Sequence, residues 1–203
     1  MITMESILGV HSKITGWCSV EKAETLVSII LATRPIISLE IGVWAGKSSI
    51  PMAMAHKKLM RGNVICVDPW MADESVKGQV RPQDKVWWKD QNMHDNIYKS
   101  FMTNRESLKL TSQIQVERKS SNEFNPPFGI GLLVIDGNHG DQVINDVEIY
   151  CPNVSPGGFV VMNDLHWSGG SVSKAVTNLC DAGFKELYRV DRNGECWATF
   201  QRI

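Results

Sequence analysis

The stretch LEIGVWAGKSSI, residues 39–50, decides how this chain is read. Its Gly-Lys-Ser suggests a phosphate-cradling P-loop, which places four residues between its first glycine and the Gly-Lys-Ser/Thr. Only Val43, Trp44 and Ala45 separate Gly42 from Gly46, so the loop is too short. Trp44 stands where backbone should wrap around oxygens, and Glu40 would repel a triphosphate. The turn is therefore read as the seat of a different ligand.

Working outward, SVEKAETLVSIILATRP (19–35) has the pattern of a helix. Ser19 can cap it, Leu26, Ile29 and Ile30 share a face, and Pro35 forbids its continuation. IISLEIG (36–42) is then a short apolar strand ending in glycine. SSIPMAMAHKKLMRG (48–62) follows as a helix opened by Ser48 or Ser49, with Pro51 tolerated in its first turn and Gly62 at its end. Further strands are predicted at NVICVDP (63–69), QIQVERK (113–119), GLLVIDG (131–137), GGFVVMND (157–164), FKELYRV (184–190) and CWATFQR (196–202). Helices are predicted near 91–103, 140–150 and 172–182. Apolar strands without polar alternation, separated by helices, specify a parallel sheet covered on both faces. The Asn-Gly of DRNGE, between the last two strands, is a hairpin signal. The expectation is an α/β, doubly wound, mostly parallel seven-stranded sheet with an antiparallel C-terminal edge strand. Residues 1–203 read as one domain, with the polar, tryptophan-containing segment 71–112 as a lid or substrate-facing insertion.

Bulk properties narrow the partners. With 43% hydrophobic and 21% charged residues the chain reads as a soluble globular protein. A net charge of −1 leaves no basic excess to displace counterions from nucleic acid. The apolar runs at 26–31 and 132–135 are too short to span a bilayer, and MITMESILGVHSK lacks the form of a signal peptide. Five cysteines without C-x-x-C spacing read as reduced thiols, with no indication of zinc. A cytoplasmic protein is expected, without nucleic-acid or membrane partners; a homo-oligomer is left open.

In an open parallel sheet, ligands collect beyond the carboxyl ends of the strands. Three features sit at such ends. The first is the turn of Glu40, Gly42 and Gly46, where backbone can approach a ligand closely, followed by a helix near Ser48 that offers free amides. The second is Asp68, with Pro69 and Trp70 behind it, where a carboxylate can accept from both ribose hydroxyls. Trp70 could stack on an adenine or pack in the core. The third is Ser120 or Ser121, placed to contact a base edge.

Glu-x-Gly-x-x-x-Gly, an acid after the second strand and Asp-Gly after the fourth resemble the class I S-adenosylmethionine-dependent methyltransferases over residues 36–203. The resemblance implies a Rossmann-like fold, Gly42 and Gly46 under the methionine part of the cofactor, Asp68 on its ribose and Glu40 near its charged methionyl end. A dinucleotide dehydrogenase is disfavoured, because position 44 of the G-x-G-x-x-G pattern is Trp.

The segment LLVIDGNHGDQVINDVEIYCPNVSPGGFVVMNDLHW (132–167) carries the candidate chemistry. Asp136 and Asp164 each end a strand, so parallel pairing delivers both carboxylates to one sheet edge. Two acids there repel one another unless a cation lies between them, and oxygen-rich sites suit Mg²⁺ or Mn²⁺. His139 can point at the same space and take a proton from a substrate hydroxyl. The stretch is similar to the metal-dependent small-molecule O-methyltransferases with Asp-Gly-x-His after the fourth strand. That resemblance implies Asp136 and Asp164 as metal ligands, His139 as general base and a small hydroxylated acceptor such as a sugar or natural product. In the catechol-type members an Asn follows the second acid. Here Leu165 does, so Asn163 or His166 is the candidate for the remaining ligand. The competing expectation is a catalytically inactive cofactor-binding or scaffold protein with the same fold. NPPF at 125–128 matches the letters of an amino-methylase signature, but precedes the fourth strand and reads as a stiffened loop.

Overall fold

A computed structural model of the protein describes residues 2–79, 81–167, 169–192 and 194–203. Seven strands form one sheet: β1 (Ile37–Ile41), β2 (Asn63–Val67), β3 (Ile114–Glu117), β4 (Ile130–Ile135), β5 (Val154–Asn163), β6 (Phe184–Arg192) and β7 (Glu195–Arg202). Their order is β3-β2-β1-β4-β5-β7-β6. The first five strands pair in parallel, and β7 runs antiparallel to both β5 and β6. The C-terminal strand is thus the antiparallel one, but it inserts between β5 and β6, so that β6 and not the C-terminal strand forms the edge. Asn193, half of the Asn-Gly turn expected there, lies outside the described residues. Outermost β6 carries Lys185, Glu186, Arg189 and Asp191 on exposed positions, charges that discourage pairing with another chain.

Eight α-helices are described: α1 (Met4–His11), α2 (Val20–Thr33), α3 (Ser49–Leu59), α4 (Ala72–Ser75), α5 (Pro82–Trp88), α6 (Gln91–Ser107), α7 (Gln142–Tyr150) and α8 (Ser171–Asp181). Helix α1 was not anticipated; Thr3 and Ser6 cap it reciprocally, and Ile7 is fully buried where α1 packs on α2 and α3. Ser19 caps α2 by accepting from the Lys22 amide at 3.0 Å, and Leu26 and Ile30 face inward. Segment 71–112 forms α4 to α6, with Phe101 fully buried against the core.

Each inner strand feeds two cores. Leu132 and Val134 of β4 pack with Leu26, Ile50 and Phe101 on one face. Leu133 and Ile135 pack with Val143, Val147 and Leu179 of α7 and α8 on the other. This is why the strands read as unbroken apolar runs. Register then fixes the functional rim. Ile41 pairs with Val67 and with Ile135, and Ile135 pairs with Met162. The next residues along each strand, Gly42, Asp68, Asp136 and Asn163, therefore emerge together at one edge.

That edge is tightly built. Gly42 adopts φ +82°, and a Cβ there would sit 2.6 Å from Gly137 Cα, so neither the backbone angle nor the space admits a side chain. Gly42→Ala is expected to lower the unfolding free energy by about 2–4 kcal/mol. Gly157→Ala, at φ +75° but with nothing within 4 Å of the added carbon, is expected to cost only about 1 kcal/mol. Urea denaturation of the two variants measures the difference.

Candidate active site

Beyond the strand ends lies a cleft of about 1070 Å³, within reach of Gly42, Asp68, Asp136, His139 and Asp164. Asp68 holds its first wall together. One carboxylate oxygen accepts from the amides of Val43 (2.9 Å) and Trp44 (3.0 Å), and the other from the Trp70 amide (2.7 Å). Burial pushes the Asp68 carboxyl up, while the three amide donors pull it back. The turn so gripped contains Trp44 at φ +52°, an uncommon conformation for a non-glycine residue. Its carbonyl accepts from the Trp70 indole at 2.8 Å, which fixes the turn from the far side.

Four expected site residues lie outside this cleft wall. The Glu40 side chain turns beneath the glycine loop, fully buried, and accepts from the hydroxyls of Ser48 and Ser49. Gly46 faces the ring of Phe101 rather than the cleft, because the loop closes directly onto α6. Trp70 is a core residue, 1% exposed and stacked on Phe101 at 5.6 Å, so apolar packing claims the ring. His166 is exposed and pairs with Asp191 at 2.7 Å beside a second, smaller cavity of about 440 Å³. Gly42, Ser48, Asp68, Pro69, Ser120 and Ser121 do line the main cleft, as do Asp136, His139, Asn163 and Asp164.

One part of the cleft lining is a cluster of charges. His139 Nε2 lies 2.8 Å from Asp164 Oδ2, although the two are not aligned as a hydrogen bond. The imidazole stacks on Trp167, with centroids 4.8 Å apart and planes at 30°. Burial alone would raise the Asp164 carboxyl, but His139 and Lys22 outweigh it and hold it below the ordinary aspartate range. Donor atoms of Asp136, His139 and Asp164 all lie within 4.8 Å of one another, close enough to share a cation.

Sequence reasoning missed Lys22. Only 1% exposed, its ammonium donates to Asp136 Oδ2 at 2.7 Å and to Asn163 Oδ1 at 2.9 Å. Burial favours the neutral amine, yet the adjacent Asp136 carboxylate outweighs that and raises the Lys22 pKa. The signal was present: Lys22 is in helical phase with Leu26 and Ile30, on the face that α2 buries. Also unforeseen was the aromatic side of the cleft, where Trp17, Trp44, Trp87 and Trp88 meet with centroids 4.8–6.1 Å apart.

Burial pushes the Glu40 carboxyl up to about 7, the two serine hydroxyls and Lys22 opposing. An acid with a raised folded-state pKa destabilises the fold once the unfolded chain ionises. Stability from this group is therefore full below about pH 4.5 and declines as pH rises toward 7. Glu40→Gln is expected to flatten that decline by an amount on the order of 3 kcal/mol, read from urea denaturation at stepwise pH.

Comparison with known proteins agrees with this arrangement. The methyltransferase domain family matches residues 39–165, from β1 to the residue after Asp164. An uncharacterized protein R132 of Acanthamoeba polyphaga mimivirus is 29% identical over 140 residues, 64% of this chain; the match spans 53% of that protein, about half its length. Among solved structures, the O-methyltransferase NovP superposes with a TM-score of 0.68 at 17% identity, covering 91% of this chain and 80% of its own. The O-methyltransferase TomG of Streptomyces achromogenes, bound to S-adenosylmethionine, superposes with a TM-score of 0.64 at 12% identity, covering 98% and 88%. At these identities the structural likeness is one of fold. The family match covers more than half of the chain and runs through both walls of the cleft, and the protein belongs to the methyltransferase domain family.

Proposed function

We propose that this protein is an S-adenosylmethionine-dependent O-methyltransferase that acts on a small hydroxylated molecule, with a divalent cation, Mg²⁺ or Mn²⁺, at Asp136 and Asp164 and His139 as general base. The observation that carries the reading is the convergence of Asp136, His139 and Asp164 beside the glycine turn and Asp68. His139 Nε2, 2.8 Å from Asp164 Oδ2, is held beside the two carboxylates, where a general base can reach an acceptor oxygen on the cation. The two carboxylates fit hard divalent ions, while Asn163 donates its amide N–H to Asp164 and its oxygen accepts from Lys22. When bound, the sulfonium supplies a transferable methyl group, and the cation would lower the pKa of the acceptor hydroxyl.

The chain's own residues would do the rest. The backbone between Gly42 and Trp44, clamped by Asp68, presents a fixed surface to the cofactor. The side chains of Asp136 and Asp164 orient the acceptor oxygen, and positioning of this kind supplies much of the rate. His139 takes the hydroxyl proton on its ring, which lies 2.8 Å from Asp164. Trp167 stacked on that ring restricts its rotation. Segment 71–112 brings Trp87 and Trp88 to the cleft, the place for a lid that selects the acceptor.

Calorimetric titration is expected to show one S-adenosylmethionine per chain, with Asp68→Ala weakening affinity by about tenfold or more. Absence of binding would end the proposal. His139→Ala should leave cofactor affinity within about twofold while methyl transfer falls by a factor of about 10²–10⁴. The cation is tested on its own: Mn²⁺ binding followed by electron paramagnetic resonance should disappear in Asp164→Asn, and transfer that persists after chelation would reject it.

A further inference from the structure

The buried ammonium of Lys22 sits where the acid cluster has least use for an ordinary lysine. It belongs to the first turn of α2, where unpaired amides make the local field positive and disfavour a cation. Desolvation disfavours it again, since the side chain is 1% exposed. Only compensating negative charge accounts for its position. That charge is Asp136, 2.7 Å away, with the Asn163 carbonyl at 2.9 Å and the carboxyls of Glu40 and Asp164 adding attraction. The Lys22 ammonium thus already occupies one oxygen of Asp136 and the only acceptor atom of the Asn163 amide.

Charge counting sharpens the point. Asp136 and Asp164 together carry the two negative charges that balance a divalent ion. With Lys22 engaged, the pair has one of those charges cancelled, and an incoming divalent ion meets a fixed positive group bonded to one of its own ligands. Like charges at this range in a partly buried site repel strongly.

We infer that Lys22 is a built-in competitor for the cation position: its ammonium holds Asp136 and Asn163, and a divalent ion gains full use of the acid pair only where that ammonium is displaced. The inference rests on the proposed role of Asp136 and Asp164 as cation ligands. It makes Lys22 a positioning residue that sets how tightly metal is held, so that an acceptor or cofactor which draws the ammonium aside would also tighten the metal.

The experiment is Mn²⁺ titration of the full chain, by calorimetry and electron paramagnetic resonance, with S-adenosylmethionine affinity and circular dichroism as checks on folding. Lys22→Met and Lys22→Gln are expected to bind Mn²⁺ about tenfold more tightly than the unaltered protein, a change of about 1.4 kcal/mol. Lys22→Arg, which keeps the charge, is expected to remain as weak as the parent. Should Lys22→Met unfold, Lys22→Gln, whose neutral amide can still donate to Asp136, carries the same expectation. Mn²⁺ binding that depends on Asp164 but is unchanged or weaker in the neutral variants overturns the role of Lys22 and leaves the metal reading standing. Absence of Mn²⁺ binding in every variant, with cofactor binding intact, overturns both.

Discussion

Parallel register is the constraint on which the rest of the molecule depends. β1, β2, β4 and β5 end at the same level, so the residues that follow them have no choice but to share one rim. The alternation that buries Leu132 and Val134 on one face and Leu133 and Ile135 on the other fixes that register, because a slip of one residue would exchange the two cores. Packing deep in the sheet therefore decides where Asp68, Asp136 and Asp164 stand.

Bringing acids together has an electrostatic cost, and the chain meets it differently at each one. Asp68 is hydrogen-bonded by three backbone amides and becomes the clamp of the glycine turn. Glu40 is sunk below that turn under two serine hydroxyls, with burial favouring its protonated form. Asp136 takes the Lys22 ammonium, and Asp164 stands beside His139. Of the four, only Asp136 and Asp164 come within a shared coordination distance. The sorting separates acids that support the scaffold from acids that can meet a ligand.

Much of this was legible in the residues. Unbroken apolar runs gave the parallel sheet, and acids at strand ends gave the rim, because both follow from local pattern and pairing rules. What the pattern could not show was the direction of individual side chains. Glu40 sits on a strand whose alternation sends it under the loop, away from the cleft, and Trp70 is consumed by packing against Phe101. His166 is carried off by the turn after β5 to pair with Asp191 on the hairpin. Lys22 was overlooked for the opposite reason: a lysine near a helix start reads as solvated, although its phase with Leu26 and Ile30 puts it on the buried face, and its partner Asp136 lies 114 residues away. Tertiary contacts of that separation leave little trace in a single sequence.

The four indoles that edge the cleft have a spectroscopic consequence. Trp17, Trp44, Trp87 and Trp88 come from three separate parts of the chain and lie close enough for excitation to migrate among them. Trp17 is 68% exposed, and Trp44 is bound into the glycine turn. Light absorbed anywhere in this group is thus emitted from whichever ring lies lowest in energy, and that ring is set by the water and ligand around it. Emission from this side of the cleft therefore reflects the surroundings of the four rings together, not of any one of them.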